Sequence, residues 1–379
     1  MNILIINWRS IKDPLSGGAE IATFETAKIW TKKHGAKVFW ISPKYKKEIN
    51  NETIKDIKFI YLGMPFSKSL LSFTFQFLWF YLAVIFCYFQ HFRGRVDVVI
   101  DQIHGIPYLA PLYVKETTVA FIHEIAGDIW DHQFPFPINF LGKTLEKVLL
   151  RFFYQKTIFV ARSWSTKTDL IRLGLPSKNI KIVSSGVSMP LTNKIVKEEQ
   201  FTVIFLNRLV KMKGTERAIK VFDLLRKKLP EAKMWIVGQA DKEYQKKLEN
   251  LCQELKIKNS VIFFGFVPEE KKIDLLSRAH VLINTSYKEG FGMVNIEANR
   301  RGTPVVAFDV AGNRDSIKHG INGYLIENDN LNTMVKALLR VKEQKETLQK
   351  SAWNYSKNFK WEKRADEFLA ILKKAQEND

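Results

Sequence analysis

The run Tyr287-Lys288-Glu289-Gly290-Phe291-Gly292-Met293-Val294-Asn295-Ile296-Glu297 follows an apolar segment, Val281-Leu282-Ile283-Asn284. The order is strand, glycine turn, helix. Two glycines flank one aromatic, so the turn lets bare backbone approach a ligand. The first N–H groups of the helix lack intrahelical partners, and the helix dipole adds partial positive charge there, which suits a phosphate. Met293 and Glu297 stand four residues apart and share a helix face. Glu297 can therefore accept from sugar hydroxyls one turn below the phosphate, and Glu289 precedes the helix, aimed at the same crevice. An ordinary strand-to-helix turn with two solvated glutamates would give the same run, because short glycine motifs recur by chance.

Outward from this run, short apolar β-branched segments alternate with helical ones along the chain. Strands are expected near residues 3–6, 37–41, 58–62, 96–100, 117–122, 157–160 and 181–183. A second set is expected near 202–206, 234–237, 261–264, 281–284, 304–308 and 324–326. Strands separated by helices imply parallel sheets covered on both faces. Two sets imply an α/β protein of two Rossmann-like, doubly wound parallel-sheet domains. The joint falls in residues 189–200, which are polar and lack apolar periodicity.

Composition agrees with this. A chain of 379 residues is long enough for two domains, and 46% hydrophobic with 26% charged residues excludes a disordered chain. The two cysteines, Cys87 and Cys252, are far apart, which suits a reducing cytosol and no metal site. The start, Met1-Asn2-Ile3-Leu4-Ile5-Ile6-Asn7, has no basic n-region and reads as a first strand. The net charge of +20 admits a solvated lysine-rich surface or attraction to an anionic membrane surface, where each Lys or Arg contributes ~1 kcal/mol. Nucleic acid is not expected as a partner, for want of an RNP-type aromatic cluster, zinc finger or recognition helix.

Other stretches bear on function. Gly17-Gly18 separates the first strand from a helix over 20–33, where a doubly wound domain admits a ligand. Residues 70–89 carry no charge and six phenylalanines. They are long enough to cross a bilayer, but a span would put the first strands on the wrong side of it and break the sheet. A buried crossover helix and a helix lying in the membrane interface remain. The strand over 117–122 ends at His123, where ligands bind in open sheets, although a lone histidine is as compatible with a structural role. Leu141, Leu145, Val148, Leu149, Phe152 and Phe153 form an apolar stripe interleaved with Lys143, Lys147 and Arg151. Such a helix packs on a core or rests on acidic lipid. Arg208 and Lys213 follow the strand over 202–206. They can grip a phosphate as a fork and a point charge, or stand as surface cations.

In this order, Gly17-Gly18-Ala19-Glu20, His123, Arg208 with Lys213-Gly214, Glu289-Gly290-Phe291-Gly292 with Glu297, Gly302-Thr303-Pro304-Val305-Val306-Ala307 and Asn322-Gly323-Tyr324-Leu325 resemble the retaining, nucleotide-sugar-dependent family 4 glycosyltransferases of GT-B fold. The resemblance implies two domains facing across a cleft. Residues 1–189 would bind the acceptor and 195–352 the donor, with 353–379 crossing back as a helix onto the first domain. Arg208 and Lys213 would hold the diphosphate of a UDP- or GDP-sugar. The backbone at Phe291, Gly292 and Met293 would cradle its distal phosphate, with Gly18 approaching from the other domain. Glu297 would hold the ribose, Val267 the base and Glu289 the donor sugar, and His123 would contact that sugar near the reacting carbon. Asn299-Arg300-Arg301 departs from the family's small or apolar residues, and Asp315 stands where Glu is common.

By family analogy the anomeric configuration is retained. The chain contains no Asp-x-Asp, so neither a metal nor another cofactor is expected. The apolar stretch and the basic helix point to a lipid-linked glycan or glycolipid acceptor and to a cytoplasmic protein peripheral on the inner face of the cell membrane. A GT-B epimerase or phosphorylase, or a non-catalytic basic binding protein, are the alternatives.

Overall fold

The computed structural model describes residues 1–65, 70–127, 129–133, 135–192, 196–327 and 330–377. The chain divides into two compact units, Met1–Gly186 with Trp361–Asp379, and Val187–Lys360. The first domain, expected to end at 189, gives way to the second unit after Gly186, and the expected start of the second at 195 lies outside the described residues. Residues 353–360, expected to begin the crossing segment, belong to the second unit, because the helix there ends at Ser356 and a new one starts at Trp361.

The first unit holds strands β1 (Asn2–Ile6), β2 (Lys37–Pro43), β3 (Glu52–Ile54), β4 (Ile57–Leu62), β5 (Val98–Ile103), β6 (Thr117–Ile122), β7 (Ile158–Ala161) and β8 (Ile180–Ile182). Its helices are α1 (Gly18–His34), α2 (Leu70–Cys87), α3 (Ile129–Gln133), α4 (Ile138–Phe153) and α5 (Trp164–Arg172). The sheet runs β3-β4-β2-β1-β5-β6-β7-β8, parallel except for β3. That strand was not expected. It is three residues long and turns into β4 through Lys55 and Asp56, both at positive φ, where a hairpin ordinarily signals itself with Asn-Gly or Asp-Gly.

Alternation along the strands assigns the faces. Ile3, Ile5, Val98, Ile100, Val119 and Phe121 pack under α1. The final helix of the chain, Trp361–Glu377, packs on that face too: Phe368 meets Trp30 edge-on at 5.2 Å and Phe121 at 4.9 Å. Leu4, Ile6, Ile41 and Val99 face Phe80, Val84 and Tyr88 at α2 and the π-helical turn that extends it. Ile103, Ala120, Ile122 and Phe159 face Leu150 and Tyr154 at α4. Leu4 pairs with Val99, and Ile103 with Ile122, so α2 and α4 cover one and the same face. α2 leads from β4 to β5 within a single sheet, which fits a crossover helix and not a span.

The second unit holds β9 (Thr202–Leu206), β10 (Lys233–Val237), β11 (Val261–Gly265), β12 (Val281–Asn284), β13 (Val305–Phe308) and β14 (Gly323–Ile326). The order is β11-β10-β9-β12-β13-β14, all parallel. Helices α6 (Thr215–Arg226), α7 (Lys242–Glu254), α8 (Glu269–Arg278), α9 (Met293–Arg300), α10 (Asn313–Ser316), α11 (Leu331–Glu343) and α12 (Lys345–Ser356) complete it, and the Trp361–Glu377 helix is α13. Two cores flank this sheet, one centred on Val203, Phe222 and Leu338 and the other on Ile204, Leu276 and Ile296.

Candidate active site

The second sheet winds outward from β9 to β11 and, in the other direction, from β12 to β14. Where the winding reverses, the loops leaving two adjacent strands diverge and open a crevice at their carboxyl ends. Residues 207–214 leave β9 there and residues 285–292 leave β12. Lys213 Nζ lies 2.8 Å from Glu289 Oε1. The same oxygen accepts from Ser286 Oγ at 2.7 Å and from Asn207 Nδ2 at 3.4 Å. Glu289 is thus held from both loops, and its side chain is 10% exposed against 18% for Lys213. Arg208 is exposed, and its guanidinium has no acidic partner among the described residues.

Beneath this pair lies a buried amide network that sequence reasoning missed. Asn284 Nδ2 donates to Asn295 Oδ1 and Asn313 Oδ1, both at 3.0 Å. Asn295 Nδ2 donates to Asn313 Oδ1 and Ser316 Oγ, both at 2.9 Å. These bonds fix the start of α9 against the loop after β13. Two glycines are required here. Gly292 caps α9 at φ +73°, where a Cβ would lie 2.6 Å from Asn295 Nδ2; Gly312, at φ +80°, leaves 2.3 Å between its missing Cβ and Glu289 O. Either Cβ would displace the loop that carries Glu289.

Other expected site residues fall in more occupied surroundings. Phe291 is a core side chain, 5.9 Å from the Phe359 ring, so only its backbone is left for a ligand. Met293 and Val267 are partly buried against the same core. Glu297 is ion-paired with Lys272 of α8 at 3.3 Å, and Lys272 also pairs with Glu269 at 2.9 Å. Burial pulls the Lys272 ammonium down, and the two carboxylates outweigh it and hold it above its ordinary range. The departure noted at 299–301 has a structural use. Arg300 is buried and donates to Met189 O at 2.8 Å and Phe359 O at 2.7 Å, while Arg301 donates to Ser277 Oγ and Pro190 O.

In the first unit the reversal lies between β1 and β5. Gly18 opens α1, and Glu20 accepts from the Gly17 backbone N–H at 2.7 Å. Gln102 on β5 was missed because the strand was expected to end at Ile100. Its amide nitrogen lies 3.0 Å from His104 Nε2 and 3.2 Å from His123 Nε2, and the two rings stack at 5.5 Å. Thr23 Oγ1 sits 2.8 Å from the amide oxygen and 3.0 Å from Ala19 O. Both imidazoles thus meet one amide, and His104 Nε2 also lies 3.8 Å from Glu20 Oε1. Burial, then Arg162 and His104, hold His123 well below its ordinary range, and burial lowers His104. The loop after His123 is fastened by Glu146 of α4, which accepts from the Ala126 and Gly127 N–H groups at 2.7 and 2.9 Å and from Trp130 Nε1 at 3.1 Å.

Residues 192–359, which carry both loops of the second unit, match the family model described as glycosyl transferases group 1. This segment is a group 1 glycosyl transferase domain. The chain is similar, at 34% identity over 158 residues, to the poly(glycerol-phosphate) alpha-glucosyltransferase of Bacillus subtilis, covering 41% of this chain and 23% of that protein. It is 30% identical over 213 residues to an uncharacterized glycosyltransferase of Haemophilus influenzae, covering 55% and 58%. The chain thus spans less than two thirds of the length of these relatives. The group 1 domain and the first unit together resemble a sucrose-phosphate synthase from Thermosynechococcus elongatus, with TM-score 0.81, 18% identity and 100% of both chains covered. Anabaena HepE in complex with UDP and glucose gives TM-score 0.74 at 18% identity, over 99% of this chain and 100% of that one. At such identities the likeness carries the fold alone, and it is the GT-B fold.

Proposed function

We propose that the chain is a retaining glycosyltransferase that moves a sugar from a UDP- or GDP-sugar to a lipid-linked or glycan acceptor, without a metal or other cofactor. The observation that carries this reading is the Lys213–Glu289 pair at the β9/β12 reversal, beside the start of α9. The match of residues 192–359 to the group 1 family supports it, as do neighbours solved with UDP and with UDP-glucose.

Glycosyl transfer develops positive charge at the anomeric carbon and negative charge on the departing diphosphate. Lys213, Arg208, Gly18 and the backbone N–H groups at Phe291, Gly292 and Met293 stabilise the second. A preorganised donor of this kind is worth ~3 kcal/mol. When the donor arrives, Lys213 exchanges Glu289 for phosphate, and Glu289 turns to the hydroxyls of the sugar. Glu297, positioned by its contact with Lys272, accepts from the ribose. Val267 lines the base. A neutral His123 contacts the sugar without repelling the developing positive charge.

Thermal denaturation with UDP, GDP and their sugars tests donor binding, since a ligand that binds only the folded state raises the midpoint. A protein indifferent to every nucleotide loses the reading. With donor and acceptor supplied, the anomeric proton of the product decides the stereochemistry, and an inverted product rules out retention. Activity abolished by chelator and restored by Mg²⁺ would overturn metal independence.

A further inference from the structure

We propose that the face of the first unit covered by α2 and α4 docks on a bilayer containing anionic lipid, through the outward sides of both helices. The proposal deepens the lipid-acceptor reading above, but its test needs no turnover.

Helix α4 is built inside out. Its buried positions are Gly142, Glu146 and Leu150, spaced four apart. Glu146 is spent on holding the loop after His123. Of the expected apolar stripe, Leu141 is 57% exposed, Val148 41%, Phe152 69% and Phe153 40%, and Phe140 beside it is 64% exposed. An amphipathic helix that buries its carboxylate and presents its phenylalanines needs a second apolar phase outside the protein.

Helix α2 repeats the arrangement. Phe80 and Val84 pack on the sheet, while Phe75, Leu82 and Phe86 are 61%, 62% and 63% exposed, with Leu78 and Trp79 on the same side. It is also the one helix among the described residues long and apolar enough to cross a membrane. Its place between two strands of one sheet leaves it lying flat. Because both helices cover the same sheet face, their outward residues look away from the sheet in the same sense.

Charge completes the match. Lys147 and Arg151 are exposed among the α4 phenylalanines. At the end of the α2 path, Arg93 stacks on the exposed Phe89 ring at 5.3 Å. A cavity of about 450 Å³ follows, lined by Phe39, Phe92, Lys58, His91 and Arg95 with Glu52 as its one carboxylate. Aromatic rings flanked by cations suit the headgroup layer of an anionic leaflet. A second copy would bring a like net charge of +20 against these cations, whereas an anionic leaflet attracts them.

The test is sedimentation of the full chain with vesicles of phosphatidylcholine alone or mixed with phosphatidylglycerol. Binding is expected to the mixed vesicles, to weaken with salt, and to fall about tenfold or more in Leu82→Glu/Phe86→Glu. Lys147→Glu/Arg151→Glu should lose the salt-sensitive part. Both variants should keep the wild-type denaturation midpoint and its shift with UDP. Should the α2 variant unfold, quenching of tryptophan fluorescence by brominated lipid replaces it, with the quenching largely lost in Trp79→Phe. Undiminished binding in the folded α2 variant, quenching that survives Trp79→Phe, or wild type that ignores mixed vesicles and self-associates instead would each overturn the proposal. A missing UDP shift in wild type would sink the donor reading and leave the docking result standing.

Discussion

At the scale of single residues, the candidate site sets each carboxylate against a lysine, with neutral side chains holding Glu289 as well. Glu289 has a lysine, a serine and an asparagine on one oxygen, so its position is determined by the fold before any ligand arrives. Lys213→Ala should therefore lower transfer about a hundredfold or more while leaving the fold intact. The measurement is turnover beside the denaturation midpoint; undiminished turnover removes Lys213 from the proposed machinery. Gly312→Ala is expected to do comparable harm indirectly, since its Cβ would strike Glu289 O. The charged residues and glycines of this site were legible in the sequence because their chemistry is unusual at strand ends. Ser286, Gln102 and the Asn284–Asn295–Asn313 network were not. A serine or an amide has no distinctive signature until the chain brings its partners within about 3 Å.

At the scale of elements, strand and helix order was legible almost throughout, because β-branched apolar runs have few other uses. β3 escaped, since its stability is borrowed from β4 and its turn lacks the usual residues. The orientation of α4 escaped as well. Its periodicity correctly announced an amphipathic helix, but periodicity cannot say which side is inward when a buried glutamate has three donors waiting for it. α13 shows how far an element's partners can lie in sequence. Trp30 Nε1 donates to Ala365 O at 2.9 Å, and Phe368 fills the space between Trp30 and Phe121. Phe368→Ala should destabilise the first unit by ~3–5 kcal/mol. Urea unfolding followed by circular dichroism checks this, and a loss under ~1 kcal/mol would show that α13 is not part of that core.

At the scale of the whole molecule, acid is expected to weaken both units. His123 and His104 in the first are held low by burial, and His280 in the second is held down to about 4. The unfolded chain takes up these protons near pH 6.5 and the folded one does not, so stability is complete above that pH and falls toward pH 5. Asp101 works the other way. Burial raises it to about 6, so its contribution to folding is full below its unfolded value near 3.8 and is lost as the pH rises through 6. With three groups against one, denaturation midpoints should drop between pH 7 and 5, and a midpoint that rises instead would show that the histidines are charged in the fold. Finally, the backbone N–H of Val187 donates to Phe359 O at 3.1 Å, and the Arg300 guanidinium clasps that carbonyl together with Met189 O. The second unit is therefore a loop of chain tied at its own neck. Residues 187–360 thus begin and end side by side, so a relative's module grafted onto the same neck is expected to leave the first unit's denaturation midpoint unchanged.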